Sequence, residues 1–291
     1  MNSSCQNSII LIDKPVGVTS FDIIRKIKKA TGIKRVGHSG VLDKNASGLL
    51  VCATNRATKL LSLFEDGYKI YEAEILFGIK TDTYDITGNI VAQKKDFIID
   101  KAKLNDVLLK FIGEIIQTPP IYSNIKVNGK RLYKYALEHK DIQRPQRKVT
   151  INKIELLEIT KNSVFLKVEC SKGTYIRTLA DDIGESLGVY GCVNSLKRIY
   201  SYPFDLKDAC KVENIKCKDV NSALEFLPSI RLEEELAVKV SNGVDFCTLF
   251  NCKNIKKGLY RVFAGNKLIS VIEKKKNNKV IYRLILPNVQ I

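Results

Sequence analysis

The chain has no apolar run approaching the roughly 20 residues needed to cross a bilayer, and its first one, Ile9 to Ile12, is stopped by Asp13 and Lys14. Neither a secretion signal nor a membrane anchor is therefore expected, and the expected location is cytoplasmic. GxGxxG and GxxxxGK(S/T) are both missing, so neither a dinucleotide fold nor a phosphate-binding P-loop is supported. The eight cysteines, at 5, 52, 170, 192, 210, 217, 247 and 252, include no CxxC pair. Without zinc-type spacing no metal site is expected, and reduced thiols are the simplest reading, although an even count leaves disulfides open. Acidic residues are short as well, 31 against 48 Lys plus Arg, for a net charge of +17. A polyanionic partner such as nucleic acid fits that excess; a generally lysine-rich composition fits it too, so the distribution of charge must decide.

What is present reads as a mixture of strands and helices without a regular βαβ beat, hence an α+β core with a mixed or antiparallel sheet. Ser8 to Ile12 reads as a buried strand, and Thr19 or Ser20 caps a helix with Phe21, Ile24 and Ile27 on one face, ended by Gly32. Leu49 to Ala53 and Tyr68 to Phe77 read as strands, as do Ile151 to Ile159 and Val164 to Cys170. Ala57 to Phe64, Lys101 to Ile112 and Tyr175 to Leu187 have helical spacing. From about Leu232 the pattern changes to short strands with turn signals at Ser241-Asn242-Gly243, Lys257-Gly258 and Gly265-Asn266, the mark of a small β domain over 231–291. Lys274 to Lys276 reads as a solvated hairpin tip.

Chemistry concentrates in three stretches. In RVGHSGVLDKNASGLL (35–50) His38 and Asp43 lie on a glycine-rich loop between apolar elements, where a rigid sheet presents reactive groups; an isolated Asp is also a common turn former. In CSKGTYIRTL (170–179) Gly173 breaks a strand before a helix that carries Tyr175 and Arg177. An Arg close to a carboxylate favours its ionised, nucleophilic form, but the spacing leaves open whether Arg177 reaches Asp43 or lies on the surface. Between Pro119 and Lys148 eight Lys or Arg face two acids and alternate with Tyr122, Tyr133 and Tyr135. Cations for phosphates and rings for bases suit contact with RNA. The neighbours Asp82 and Asp85, or Asp181 and Asp182, do not converge from several elements as a two-metal clamp requires.

Several separated segments resemble, in the same order, those of the bacterial tRNA pseudouridine-55 synthases. They are LIDKP (11–15), GHSGVLD (37–43), KIYEAEILFGIKTDT (69–83), YSNIKVNGKRLYKYA (122–136), SKGTYIRTLADDIG (171–184) and LKR (196–198). The resemblance implies a pseudouridine synthase core over 1–230 with a thumb-like insertion near 119–148, a PUA-like RNA-binding domain over 231–291, and tRNA, through its T-arm, as partner. It implies Asp43 as nucleophile, Arg177 as its ion-pair partner, Tyr71 as the ring stacked on uracil and a candidate proton relay, Tyr175 and Leu196 as pocket walls, and His38 as a holder of flipped-out nucleotides. No cofactor and no obligatory protein partner are implied, since the product is an isomer of the substrate. A guide-RNA-dependent subunit and a plain RNA-folding factor remain as rivals. One departure stands out: the proline that usually follows the aspartate is Lys44 here, which removes a fixed φ and adds a charge beside Asp43.

Overall fold

The computed structural model describes residues 5–286 except 139, 141, 251, 277 and 278, with only the backbone of residue 253. The chain opens with β1 (Ser8–Lys14), α1 (Ser20–Thr31), β2 (Val36–Ser39), β3 (Ala46–Thr54) and, after a 3-10 turn, α2 (Leu61–Glu65). Next come β4 (Lys69–Phe77), the hairpin β5 (Ile79–Thr81) and β6 (Ile90–Gln93), α3 (Lys101–Lys110) and β7 (Gly113–Gln117). The basic segment folds into the hairpin β8 (Lys126–Val127) and β9 (Lys130–Arg131) followed by α4 (Leu132–Leu137). Then follow β10 (Arg147–Ile159), β11 (Ser163–Cys170), α5 (Ile176–Leu187), β12 (Gly191–Ser201), β13 (Phe204–Asp205), β14 (Lys218–Asp219) and α6 (Val220–Ala223). The last stretch holds β15 (Ser229–Leu232), α7 (Glu234–Ser241), α8 (Phe246–Leu249), β16 (Gly258–Ala264), β17 (Lys267–Lys274) and β18 (Val280–Ile285).

One ten-stranded sheet, ordered β14-β1-β3-β12-β4-β11-β10-β7 with β2 beside β3 and β13 beside β12, forms the larger body. It is mixed because β12 runs parallel to β3 and antiparallel to β4. The fold is thus α+β, as the irregular order of elements predicted. Near-continuous apolar runs such as Ile9 to Ile12 and Leu49 to Ala53 are covered on both faces, consistent with their central place in the sheet. A second sheet, β15-β16-β17-β18, carries the C-terminal residues, and its Phe263, Leu268, Val271 and Leu284 share a core with Leu49, Val51 and Phe64 of the first. Among the described residues no helix is long and apolar enough to cross a membrane.

Two devices set the geometry of the cleft. At α1, Thr19 accepts from the Asp22 amide while Asp22 accepts from that of Thr19, a capping box that fixes where the helix starts. At α5, glycine is required: a Cβ on Gly184 would stand 2.2 Å from the Gly191 nitrogen, so the helix lies directly against β12. That close approach brings the first turn of α5, with Arg177, over the sheet.

Four expectations need correction. Phe21 is 62% exposed, and Ile23 takes the core position beside Ile24 and Ile27. The buried stripe falls one residue round the helix because α1 begins at Ser20, which points inward to the Leu42 backbone. The stretch after Leu232 is helical at first: acids in the opening turn and Leu236, Ala237 and Val240 at helical spacing form α7, and the Ser241-Asn242-Gly243 signal ends this helix instead of joining strands. Lys274 is buried at the end of β17 and Lys275 is paired with Glu273, so the lysine run is only partly solvated. Finally, Cys5 is bonded to Cys217 and Cys247 to Cys252, whereas Cys52, Cys170, Cys192 and Cys210 are free. The first pair meets because β14 adds to β1 at the sheet edge, a contact across 212 residues that no spacing rule reveals.

Candidate active site

Asp43 sits on a bend between β2 and β3 that backbone bonds hold from several sides. Ala46 N–H donates to Asp43 O at 3.1 Å, closing a turn with Lys44 in its second position, and Gly17 N–H donates to Lys44 O at 2.8 Å. Ser20 Oγ takes the Leu42 amide at 2.9 Å and gives its own proton to the Leu42 carbonyl at 3.1 Å. Without the usual proline the turn is therefore still closed. The Asp43 side chain remains 45% exposed, facing a cleft of about 980 Å³.

Arg177 enters from the first turn of α5 and is almost fully buried. Its Nε stands 2.9 Å from Asp43 Oδ2, Nη1 donates to Thr83 O at 3.0 Å, and Nη2 donates to Tyr122 O at 3.0 Å. A second carboxylate, Asp85, lies 3.7 Å from Nη1; it is 7% exposed and accepts from the Thr87 amide at 3.0 Å. The guanidinium is thus aimed at Asp43 by two other segments, the β5–β6 connection and the stretch at Tyr122, which leaves it little freedom to turn away. Gln117, at the end of β7, fixes the start of α5 by accepting the Tyr175 amide at 3.0 Å and donating to the Tyr175 carbonyl at 3.2 Å.

The cleft walls come from the central seam of the sheet. Leu196 on β12 is level with Ala46 of β3 and Ala73 of β4, and Arg198, two residues on, is level with Gly48 and Tyr71. Tyr71, Leu196, Tyr175 and Arg198 all line the cleft with Asp43 and Arg177. Burial raises the Tyr71 phenol above its ordinary value, with Arg198 opposing the rise by charge and by a hydrogen bond. Tyr175 is raised by burial as well. Lys69, in the cleft lining, and Lys14, on β1 behind it, are buried, each lowered to about 8, chiefly by desolvation.

Of the six residues singled out from sequence, five meet in this cleft. His38 lines an adjoining hollow of about 810 Å³ that shares Asp43 and also includes Phe21, Lys44, Lys126, Arg131 and Tyr133. Among the described residues its buried Nδ1 has no hydrogen-bond partner, and burial, followed by the charge of Arg198, lowers its pKa. The basic segment contributes Tyr122, Asn124, Lys126 and Tyr133 to the cleft wall, and Tyr135 braces the hairpin by donating to Val127 O at 3.1 Å. Sequence reasoning missed Asp85 as an anchor of Arg177 and gave Arg198 no role. For Arg198 the signal existed, since in a strand residues 196 and 198 share a face; for Asp85 nothing local pointed to a partner 92 positions away, 177 − 85.

Residues 28–176 match the TruB family pseudouridylate synthase (N terminal domain), and residues 177–227 match the tRNA pseudouridylate synthase B C-terminal domain. A tRNA pseudouridine synthase B from Clostridium kluyveri is 39% identical over 274 residues, covering 91% of this chain and 94% of its own. One from Bordetella pertussis is 42% identical over 221 residues, 75% of this chain and 91% of its own. Among solved structures, a Cbf5-Nop10-Gar1 complex is similar with a TM-score of 0.72 and 25% identity, covering 98% of this chain and 86% of that one. An H/ACA RNP bound to a substrate RNA containing 2'-deoxyuridine gives the same TM-score at 22% identity, with 99% and 87% covered, a likeness of fold. With its central seam, its cleft and these matches in agreement, the chain belongs to the TruB family of pseudouridylate synthases.

Proposed function

We propose that the protein isomerises uridine to pseudouridine in tRNA, at position 55 of the T-loop, with Asp43 as nucleophile. The observation that carries this reading is a half-exposed carboxylate in a deep cleft, held by a buried arginine and flanked by an aromatic ring. Isomerisation breaks the N1–C1′ bond, forms C5–C1′, removes the C5 proton and returns one to N1, so no redox carrier or group donor enters the balance. The base must leave the RNA stack to be reached, and an aromatic wall compensates the lost stacking. Tyr71 fills that role and is the candidate for handling the C5 proton; Leu196 and Tyr175 confine the ring. Arg177 keeps the Asp43 carboxylate facing the base, which Asp43 attacks at uracil C6 or ribose C1′ to give an intermediate in which the uracil can turn.

His38 and the adjoining hollow receive neighbouring flipped-out nucleotides, the basic segment at 119–148 closes on the T-arm, and residues 231–291 act as a PUA-like RNA-binding domain beside the 1–230 core. The chain works alone, without cofactor, in the cytoplasm. The test is pseudouridine mapping in tRNA treated with the purified protein. Asp43→Asn is expected to abolish product while tRNA binding stays within about threefold, and a U55C tRNA is expected to yield nothing. Undiminished product from Asp43→Asn would falsify the assignment of the nucleophile, and product elsewhere in the U55C tRNA that of the position.

A further inference from the structure

Arg198 is 1% exposed, enclosed at the middle of the ten-stranded sheet. Among the described residues no carboxylate forms an ion pair with it; its partners are neutral. Nε donates to Leu49 O of β3 at 2.8 Å and Nη2 donates to Gly40 O at 3.1 Å, and Tyr71 of β4, level with Arg198 in the sheet, lines the same cleft. Burying a cation without a counter-charge costs free energy that a hydrophobic residue of similar volume would avoid. Such a cost is understandable where the geometry serves the site. Gly40 lies three residues before Asp43 on the bend, and Tyr71 is the cleft's aromatic wall.

We propose that Arg198 is a positioning residue for the isomerisation: its planar guanidinium fastens the bend carrying Asp43 to β12 at the point where that strand pairs with Tyr71 of β4, so that nucleophile and ring keep a fixed gap for one flat pyrimidine. The inference rests on the isomerase reading above. The fork geometry matters, since a guanidinium holds several acceptors in one plane and an ammonium does not. Fit on the loop side is equally tight: Gly40 has φ +69°, and a Cβ there would stand 3.2 Å from Nη1. Two buried lysines clamp carbonyls nearby, Lys14 those of Pro15 and Val18 at 3.0 and 2.7 Å, and Lys69 that of Gly67 at 2.6 Å. Of the three cations, Arg198 is the one bonded to the bend of the nucleophile.

The test uses the full chain, transcribed tRNA, and separate measurement of kcat and KM. Arg198→Lys, which keeps the charge, is expected to lower kcat about 100-fold with KM within about threefold. Gly40→Ala, which leaves Arg198 in place and presses on Nη1, is expected to lower kcat at least tenfold, again with KM little changed. Combined, the two are expected to be no slower than the slower single variant, because both act on one contact. A kcat within threefold of wild type in Arg198→Lys overturns the proposal, as do losses that multiply in the double variant or that fall on KM alone. If Arg198→Lys does not fold, Gly40→Ala decides, and an unchanged kcat there overturns it. Absence of pseudouridine with the wild-type protein sinks the isomerase reading itself, a result distinct from all of these.

Discussion

Replacing Arg177 by methionine separates its electrostatic role from its volume. The side chain lost is buried and serves Asp43, Asp85 and the carbonyls of Thr83 and Tyr122. Removing one partner of a buried pair costs roughly 3–5 kcal/mol, but the Asp43 half is 45% exposed and water screens it, leaving roughly 0–1 kcal/mol there. Asp85 carries most of the effect, and since it keeps bonds to Thr83 and Thr87 its share falls at the low end of that range. Two carbonyls stripped of a charged donor add about 1 kcal/mol each. A loss of about 5 kcal/mol is expected, or about 10 °C in Tm for a chain of this size. Asp85→Asn on top of Arg177→Met is expected to restore about 1–2 kcal/mol by neutralising the stranded charge. Thermal unfolding followed by circular dichroism reads both numbers. A fall of less than 3 °C for the single variant, or a second substitution that only adds to the loss, refutes the claim that Asp85 depends on Arg177. Pseudouridine formation is expected to drop about 100- to 1,000-fold in the same variant, the scale of losing one preorganised charged donor.

Three further outcomes follow from local geometry. Burial lowers the pKa of His38 below its ordinary 6.5, so the stability it contributes is complete above that pH and declines as pH falls through the lowered folded value. Denaturation midpoints between pH 6.5 and 5 should therefore slope less in His38→Asn than in wild type, and equal slopes argue against a buried neutral imidazole. Lys44 occupies the second position of the turn closed from Ala46 N to Asp43 O, where proline's fixed φ fits; Lys44→Pro is expected to stabilise by about 0.4–1 kcal/mol in urea unfolding. Ile23→Ala should cost about 2–5 kcal/mol and Phe21→Ala under about 1 kcal/mol, the reverse of the order that the helical stripe read from sequence implies.

The strands and helices around the cleft were legible because each carries its own signal: the apolar runs of β1 and β3, the alternation of β4 and β11, and the cap and glycine stop of α1. What escaped was set by partners distant in sequence. Phe21 and Ile23 are both apolar on one helix, and only the docking of Ser20 on the Leu42 backbone chooses which faces inward. Cys5 and Cys217 meet through strand pairing at an edge, and α7 competes with a strand pattern until its acidic first turn is weighed. In the site, Asp43, Tyr71 and Arg177 stood out by motif, whereas Asp85 acts through an arginine on another helix.

The parallel pairing of β3 with β12 carries a consequence for biosynthesis. Leu196 and Arg198 are built about 150 residues after Asp43, yet they form the seam against which the bend around Asp43 is set. A nascent chain halted before β12 emerges already carries Asp43 and Arg177, but β3 and β4 lack the strand that sits between them. Such late closure of a long-range contact slows folding; it also means that truncated products released early from the ribosome lack the cleft wall that Leu196 and Arg198 supply.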